Sequence, residues 1–124
     1  MADEKNLECS AAPKLIFSCS GAADVGALSD RAARRMTREG AGKMYCLAGV
    51  GGRVPGIMKT TEAAEKILAI DGCQLDCVKN CLEQAGFLEY DHMRVTDLGM
   101  KKGETQVNDE NTIRVVEKGR ELLA

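Results

Sequence analysis

Apolar residues are grouped along the chain in short runs of strand length. Three of these runs are almost continuously apolar and predict buried parallel strands at residues 14–18, 44–48 and 67–70. A fourth, less regular run predicts a strand at residues 89–98. Each of the first three runs is followed by a glycine-containing segment, which is typical of the end of a strand.

Between the strands, apolar residues recur at helical spacing. In the first such segment the apolar face consists of Val25, Leu28, Ala32 and Met36. Capping residues predict four helices: from Asp24 to a stop at Gly40, over residues 62–66 behind Thr61, over about 74–84 with a stop at Gly86, and from Asn108 or Asp109 onward. The last helix is expected to turn one side inward, formed by Ile113, Val116 and Leu123.

Strand and helix alternate four times, which is the order of a parallel sheet with helices on both faces. We therefore expect a single α/β domain over residues 1–124, with three layers and a mostly parallel four-stranded sheet of Rossmann-like or flavodoxin-like type. Residues 1–13 are expected to be a loosely ordered tail. Ligands of such sheets bind beyond the carboxyl ends of the strands, so the chemistry is expected there.

Charge and composition narrow the classes of function. Seventeen basic and nineteen acidic residues give a net charge of −2, which argues against a nucleic-acid-binding protein. The four arginines of the first helix are expected to form a solvated face: Arg31, Arg34, Arg35 and Arg38. No apolar run approaches the roughly 20 residues of a membrane span, and residues 1–7 do not resemble a secretory signal. We therefore expect a cytoplasmic protein without a membrane partner.

Six cysteines are the most unusual feature of the composition. Cys19, Cys46 and Cys73 each lie at the carboxyl end of a predicted strand, and adjacent strands are about 4.8 Å apart, so these thiols are expected to converge. Cys77 follows one helical turn later. Four thiolates around one Zn²⁺ would form a satisfied site, and clustered cysteines in a reducing cytoplasm are more often ligands or redox groups than disulfides. The alternative is that they are small buried apolar residues.

Several separate motifs resemble the DGC-domain family, small prokaryotic proteins described as zinc-binding. The motifs are residues 19–26, residues 43–49 and residues 70–73, with Cys77 beyond. The family takes its name from the triplet found here at residues 71–73, and the resemblance extends from about residue 14 to the last helix. It implies a zinc site at Cys19, Cys46, Cys73 and Cys77 and no particular biological role. Cys81 is outside this pattern, and Cys9 in the tail has no assigned partner.

Other residues are candidates for a second shell or for ligand binding. Ser20 lies in a strand-to-helix turn whose N–H groups would hold an anion, or it belongs to an ordinary turn. The glycine-rich segment 49–59 is either a lid that carries Arg53 to a small anionic ligand or an irregular crossover. Asp71 is a candidate acceptor or acid/base group beside Cys73. His92 is expected at the surface.

Three hypotheses about function remain open at this point. The first is a zinc-binding protein with a thiolate site at the edge of the sheet. The second is a redox or sulfur-transfer enzyme that uses Cys73 and Cys77, in which a helix N-terminus lowers the pKa of Cys73. The third is a small-ligand sensor with a glycine-rich lid. If Cys73, Cys77 and Cys81 share one helix face, only Cys77 lies close enough to Cys73 to bind the same ion.

Overall fold

The computed structural model describes residues 12–124, so residues 1–11 of the predicted tail, with Cys9, lie outside the described part of the chain. Four strands form one sheet: β1 (Lys14–Ser18), β2 (Lys43–Met44), β3 (Lys66–Asp71) and β4 (Asp91–Arg94). Their order is β2-β1-β3-β4 and all three pairings are parallel. The predicted three-layer α/β fold is confirmed.

Helices cover both faces of this sheet. They are α1 (Asp24–Arg38), α2 (Leu47–Gly51), α3 (Pro55–Glu62), α4 (Cys77–Gln84) and α5 (Asp109–Leu123), with a 3-10 helix at Val95–Leu98. One layer contains α1 and α5, and the other contains α2, α3 and α4. Among residues 12–124, no helix combines the length and the apolar content that crossing a membrane requires.

The central strands β1 and β3 are buried on both faces because their successive side chains point to opposite sides. Ile16 and Leu68 contact the layer of α1 and α5, whereas Leu15, Phe17 and Ala69 contact the layer of α2, α3 and α4. All five are fully buried. This two-sided burial explains why both strands read as continuous apolar runs in the sequence.

The glycine-rich segment is not an open loop. It contains the last three residues of α2 and the first five of α3, with Pro55 in the first turn of α3, where a missing N–H costs nothing. Val50 is fully buried, and Ile57 packs so closely on Gly49 that a Cβ there would lie 2.1 Å from Ile57 Cδ1. The predicted loop is therefore wrong, and so is the predicted helix at 62–66, because Thr61 ends a helix instead of starting one.

Three other predicted boundaries also differ. The structure ends β2 at Met44 and β4 at Arg94, where a 3-10 helix follows. The helix after β3 begins at Cys77 and not near residue 74, because Asp76 adopts a left-handed conformation with φ of 55°. In α5, Asn108 caps the helix as predicted and Val116 and Leu123 are buried, but Ile113 is 37% exposed.

The first turn of α1 packs against backbone instead of side chains. A Cβ at Gly26 would lie 2.8 Å from Gly21 O, and a Cβ at Gly72 would lie 3.1 Å from Gly26 N. Gly21 follows β1 and Gly72 follows β3, so these contacts draw the helix and the ends of both central strands together. At Gly26, only a residue without a side chain permits this approach.

Substitution of Gly26 tests whether this close packing supports the fold. In Gly26→Ala the new methyl group meets a backbone oxygen that cannot rotate away, so we expect a loss of about 1–3 kcal/mol of unfolding free energy in urea denaturation. The matched control is Gly56→Ala in α3, where a Cβ meets nothing within 4 Å. The control should be neutral or more stable by up to about 1 kcal/mol. Equal midpoints for Gly26→Ala and the wild type would contradict the prediction.

Candidate functional site

Four cysteines lie at the carboxyl edge of the sheet, where the sequence places them. Cys19 follows β1 directly, and its N–H donates to Ile70 O of β3 at 2.9 Å. Cys46 and Cys73 each lie two residues beyond the end of a strand, β2 and β3 respectively. Cys77 is the first residue of α4. The parallel order of the strands brings all four to one side of the molecule.

Three of these residues, Cys19, Cys73 and Cys77, form what we call the thiol cluster. Burial raises the pKa of the Cys77 thiol, and negative charge at Cys19, at the Asp71 carboxylate and at Cys73 raises it further. Such an effect requires the thiols to be near one another. Lys102 from the loop before α5 opposes it and lies with Nζ 3.5 Å from Cys73 Sγ. Sequence analysis missed Lys102, which comes from a polar loop distant along the chain.

Cys46 and Cys81 lie beside the thiol cluster in different settings. Cys46 is exposed and caps α2, where its Sγ accepts a hydrogen bond from Gly49 N at 3.3 Å. Cys81 lies one turn further along α4 than Cys77, and its Sγ contacts Leu47 O at 3.8 Å. Burial raises the pKa of Cys81, and Arg53 partly offsets the rise.

The N-terminus of α4 lies at Cys77 and not at Cys73, where the sequence places it. Cys73 lies in the turn before the helix, and the helix begins at Cys77, whose pKa is raised. Cys73, Cys77 and Cys81 also do not share one helix face, because only Cys77 and Cys81 belong to α4.

The last residue of β3, Asp71, holds the start of α4. Its carboxylate is 1% exposed and accepts hydrogen bonds from Val78 N at 2.7 Å and Lys79 N at 3.2 Å. The first N–H groups of a helix have no acceptor within the helix, and here the carboxylate of a strand residue accepts two of them. Asp71 therefore accepts from the helix backbone beside Cys77, and its role as a second-shell or acid/base group stays a prediction.

His92 in β4 contacts the same carboxylate. The sequence predicts this residue at the surface, but the structure places it largely inside. Its Nε2 lies 2.8 Å from Asp71 Oδ2, and its side chain is mostly buried. Arg94 donates to both oxygens of Asp76, at 2.7 and 2.8 Å, which secures the turn between β3 and α4. The parallel register of β3 and β4 brings Asp71 opposite Arg94. Because this register cannot be read from the sequence, neither the contact of His92 with Asp71 nor that of Arg94 with Asp76 could be predicted.

Ser20 and Arg53 have partners other than those considered from the sequence. Ser20 Oγ donates to Asp30 Oδ1 at 2.7 Å, so its hydroxyl connects the turn after β1 to α1. Arg53 donates to three backbone oxygens, those of Val50, Gly51 and Gln84. It therefore joins α2 to the end of α4 and does not extend over the thiol cluster.

The residue types at the edge fit a zinc ion, but the sulfur atoms lie further apart than in a zinc site with the ion bound. Zinc binds thiolates at about 2.3 Å, which places two sulfurs at most about 4 Å apart. Within residues 12–124, no three cysteine sulfurs all lie within 4.8 Å of one another.

The ion pair between Arg94 and Asp76 gives a pH-dependent prediction. Hydrogen bonds from Arg94 hold the pKa of Asp76 below its ordinary value of 3.8. A carboxyl group whose pKa is lowered by folding stabilises the fold at pH values above its ordinary pKa. This stabilisation is lost as the pH falls through the pKa of the folded state. We therefore expect Arg94→Met to lower the unfolding free energy at pH 7 and to have a smaller effect below pH 3.8.

Urea denaturation at several pH values measures this difference. The control is Lys118→Met, which removes an exposed ion pair with Glu121 on α5 and should change the stability little at any pH. A difference between Arg94→Met and the wild type that is equally large at acidic and neutral pH would contradict the assignment.

Comparison with known proteins identifies the family. A protein of Pseudomonas aeruginosa described as "Anaerobic and virulence modulator AnvM" is 39% identical over 88 residues, which cover 71% of this chain and 67% of that protein. No solved structure matches the chain. The family model of the DGC domain matches residues 15–119, a range that includes all of the sheet except Lys14, all four edge cysteines and the first 11 of the 15 residues of α5. The chain therefore belongs to the DGC domain family, as the motifs around its cysteines indicated.

Proposed function

We propose that this protein binds one zinc ion through Cys19, Cys46, Cys73 and Cys77. The observation that supports this most directly is the placement of these four cysteines at one edge of the sheet, where charge at Cys19 and at Cys73 raises the pKa of the Cys77 thiol. Thiolates are preferred zinc ligands, and structural zinc sites are almost always four-coordinate. If three neighbouring thiols at this edge bind zinc, the ion needs a fourth ligand, which we expect from an adjacent element.

Cys46 is the best fourth ligand among the described residues. It follows β2, the strand next to β1, and its exposed thiol shares a cleft with Cys77. Cys81 also lines this cleft, but its sulfur lies against Leu47 O and near Gly51, under α2. We therefore assign Cys46 to the zinc site and Cys81 to the packing of α2 on α4.

Residues around the thiols prepare the edge for a divalent cation. Four thiolates and one Zn²⁺ leave an excess of negative charge, which Lys102 beside Cys73 offsets in part. The Ser29 hydroxyl donates to Cys19 O, and Asp71 holds the first turn of α4, so the backbone at two ligands is fixed. Bound zinc would keep the thiolates deprotonated and join three segments of the edge.

A zinc–thiolate centre of this kind suits a regulatory role. The related Pseudomonas aeruginosa protein is a modulator by its description, and we propose the same broad role for this chain. Thiolate ligands respond both to the supply of metal and to oxidation, so the edge of the sheet would change with either.

The first test is the metal content of protein purified under reducing conditions. We expect close to one zinc ion per chain by elemental analysis. Cys77→Ser should lose the metal or hold it much more weakly, because Cys77 belongs to the thiol cluster. Cys81→Ser is the matched control on the same helix and should retain full stoichiometry.

Two outcomes would contradict the zinc proposal. One is reduced protein that contains no zinc and takes none up when zinc is added. The other is loss of the metal from Cys81→Ser with retention in Cys77→Ser. Metal-free protein with a reversible disulfide between Cys73 and Cys77 would instead favour the redox enzyme.

Zinc is also expected to stabilise the fold. Removal of the metal with a strong chelator should lower Tm, and for a domain of this size each kcal/mol lost corresponds to roughly 3–6 °C. Cys77→Ser provides the control, since its Tm should not respond to the chelator. Identical melting curves of the wild type with and without zinc would show that the metal does not join the strand ends.

A further inference from the structure

A cleft of about 1120 Å³ opens beside the thiol cluster, between the two helical layers. Its walls are α1 on one side and α2 with the start of α4 on the other, and the segment after β2 forms its floor. Ligand sites of α/β proteins commonly lie beyond the carboxyl ends of the strands, and this volume is large enough for a small organic molecule. The proposed zinc site does not account for the side of the cleft that α1 forms.

Arg34 on that side has an orientation that suits recognition of an anion. Its Nε donates to Asp30 Oδ2 at 2.8 Å, and Asp30 is held in turn by the Ser20 hydroxyl at 2.7 Å. The two terminal nitrogens of Arg34 have no hydrogen-bond acceptor among the described residues. A guanidinium held through Nε presents these nitrogens as a pair, which is the geometry that binds two oxygens of a carboxylate or phosphate.

A second cation and an apolar surface lie in the same cleft. Arg38 follows Arg34 by one helical turn and makes no ion pair within the described part of the chain. The floor and the facing wall are formed by Met44, Tyr45 and Leu47, which are only partly buried. An occupant that satisfies both surfaces combines an oxyanion with an apolar body.

We propose that this cleft binds a small organic anion, with its oxyanion on Arg34 and Arg38 and its apolar part on Tyr45 and Leu47. This site differs from the one suggested by the sequence, because Arg53 donates to backbone oxygens and does not line the cleft. The proposal goes beyond zinc binding and does not require the metal, because neither arginine is a zinc ligand.

The test uses three aromatic probes of similar size with the freshly purified full chain: phenyl phosphate, benzoate and benzyl alcohol. Binding is followed through the backbone amide signals in two-dimensional NMR at millimolar probe concentrations. We expect at least one of the two anions to shift signals of the cleft, chiefly those of Ser20, Tyr45–Ala48 and Cys77, and the neutral alcohol to bind much more weakly. Comparison of the two anions distinguishes a phosphate from a carboxylate ligand.

Variants test the two arginines directly. Arg34→Gln and Arg38→Gln should each weaken binding of the anion, and the double variant should weaken it by about tenfold or more. The control is Arg35→Gln, since Arg35 pairs with Glu39 on another face of α1 and does not line the cleft. The spectrum of each variant without probe reports whether it is folded.

The proposal would be overturned by equal binding of the alcohol and the anions, by absence of binding of either anion, or by anion shifts located outside the cleft. Unchanged affinity in the folded double variant would also overturn it. Zinc-loaded and chelator-treated protein are compared in the same titration. Anion binding that persists in metal-free protein supports this proposal even if the zinc proposal fails.

Discussion

A single buried carboxylate, that of Asp71, organises the carboxyl edge of the sheet. It ends β3, satisfies two backbone N–H groups of α4 and contacts His92 of β4. The buried N–H of Val78 would otherwise be a donor without a partner, at a cost of about 1–3 kcal/mol. The position of Cys77, and with it the thiol cluster, therefore depends on a residue that is not itself a thiol.

Two further constraints act on the same region. The contact between Gly26 and Gly21 allows α1 to approach the end of β1, and Arg94 holds the turn that carries Cys73 through Asp76. These contacts are made by backbone atoms and by an ion pair in which two nitrogens of Arg94 donate to both oxygens of Asp76. The sulfur atoms can still rotate. A fixed edge that carries rotatable thiols is consistent with the zinc site that we propose.

The two sites that we propose adjoin, because the zinc ligands Cys46 and Cys77 also line the cleft. Cys19 and Cys73 with Lys102 lie outside the cleft, whereas Arg34 lines its opposite wall. An anion in the cleft and a metal at the thiols would thus occupy neighbouring volumes. Arg34 and Lys102 belong to different segments, so the two sites can be altered independently.

Much of the fold follows from local patterns in the sequence. β1 and β3 were predicted because both are buried on two faces, and α1 and α5 because their apolar spacing and their first residues are typical of helices. The helices α2 and α3 are not predicted, because the glycines of this segment indicate a loop. There the close contact between Gly49 and Ile57 overrides the weak helical preference of glycine.

For the candidate site, the sequence by itself determined the residue types and their placement at strand ends, because a parallel sheet brings those ends to one edge. It indicated that Cys19, Cys46, Cys73 and Cys77 share this edge and which family the chain belongs to. Only the tertiary structure decided the start of α4, the contact of Lys102 with Cys73 and the partners of Asp71 and Arg34. These depend on strand register and on side-chain geometry between segments distant along the chain, and neither leaves a periodic signal in the sequence.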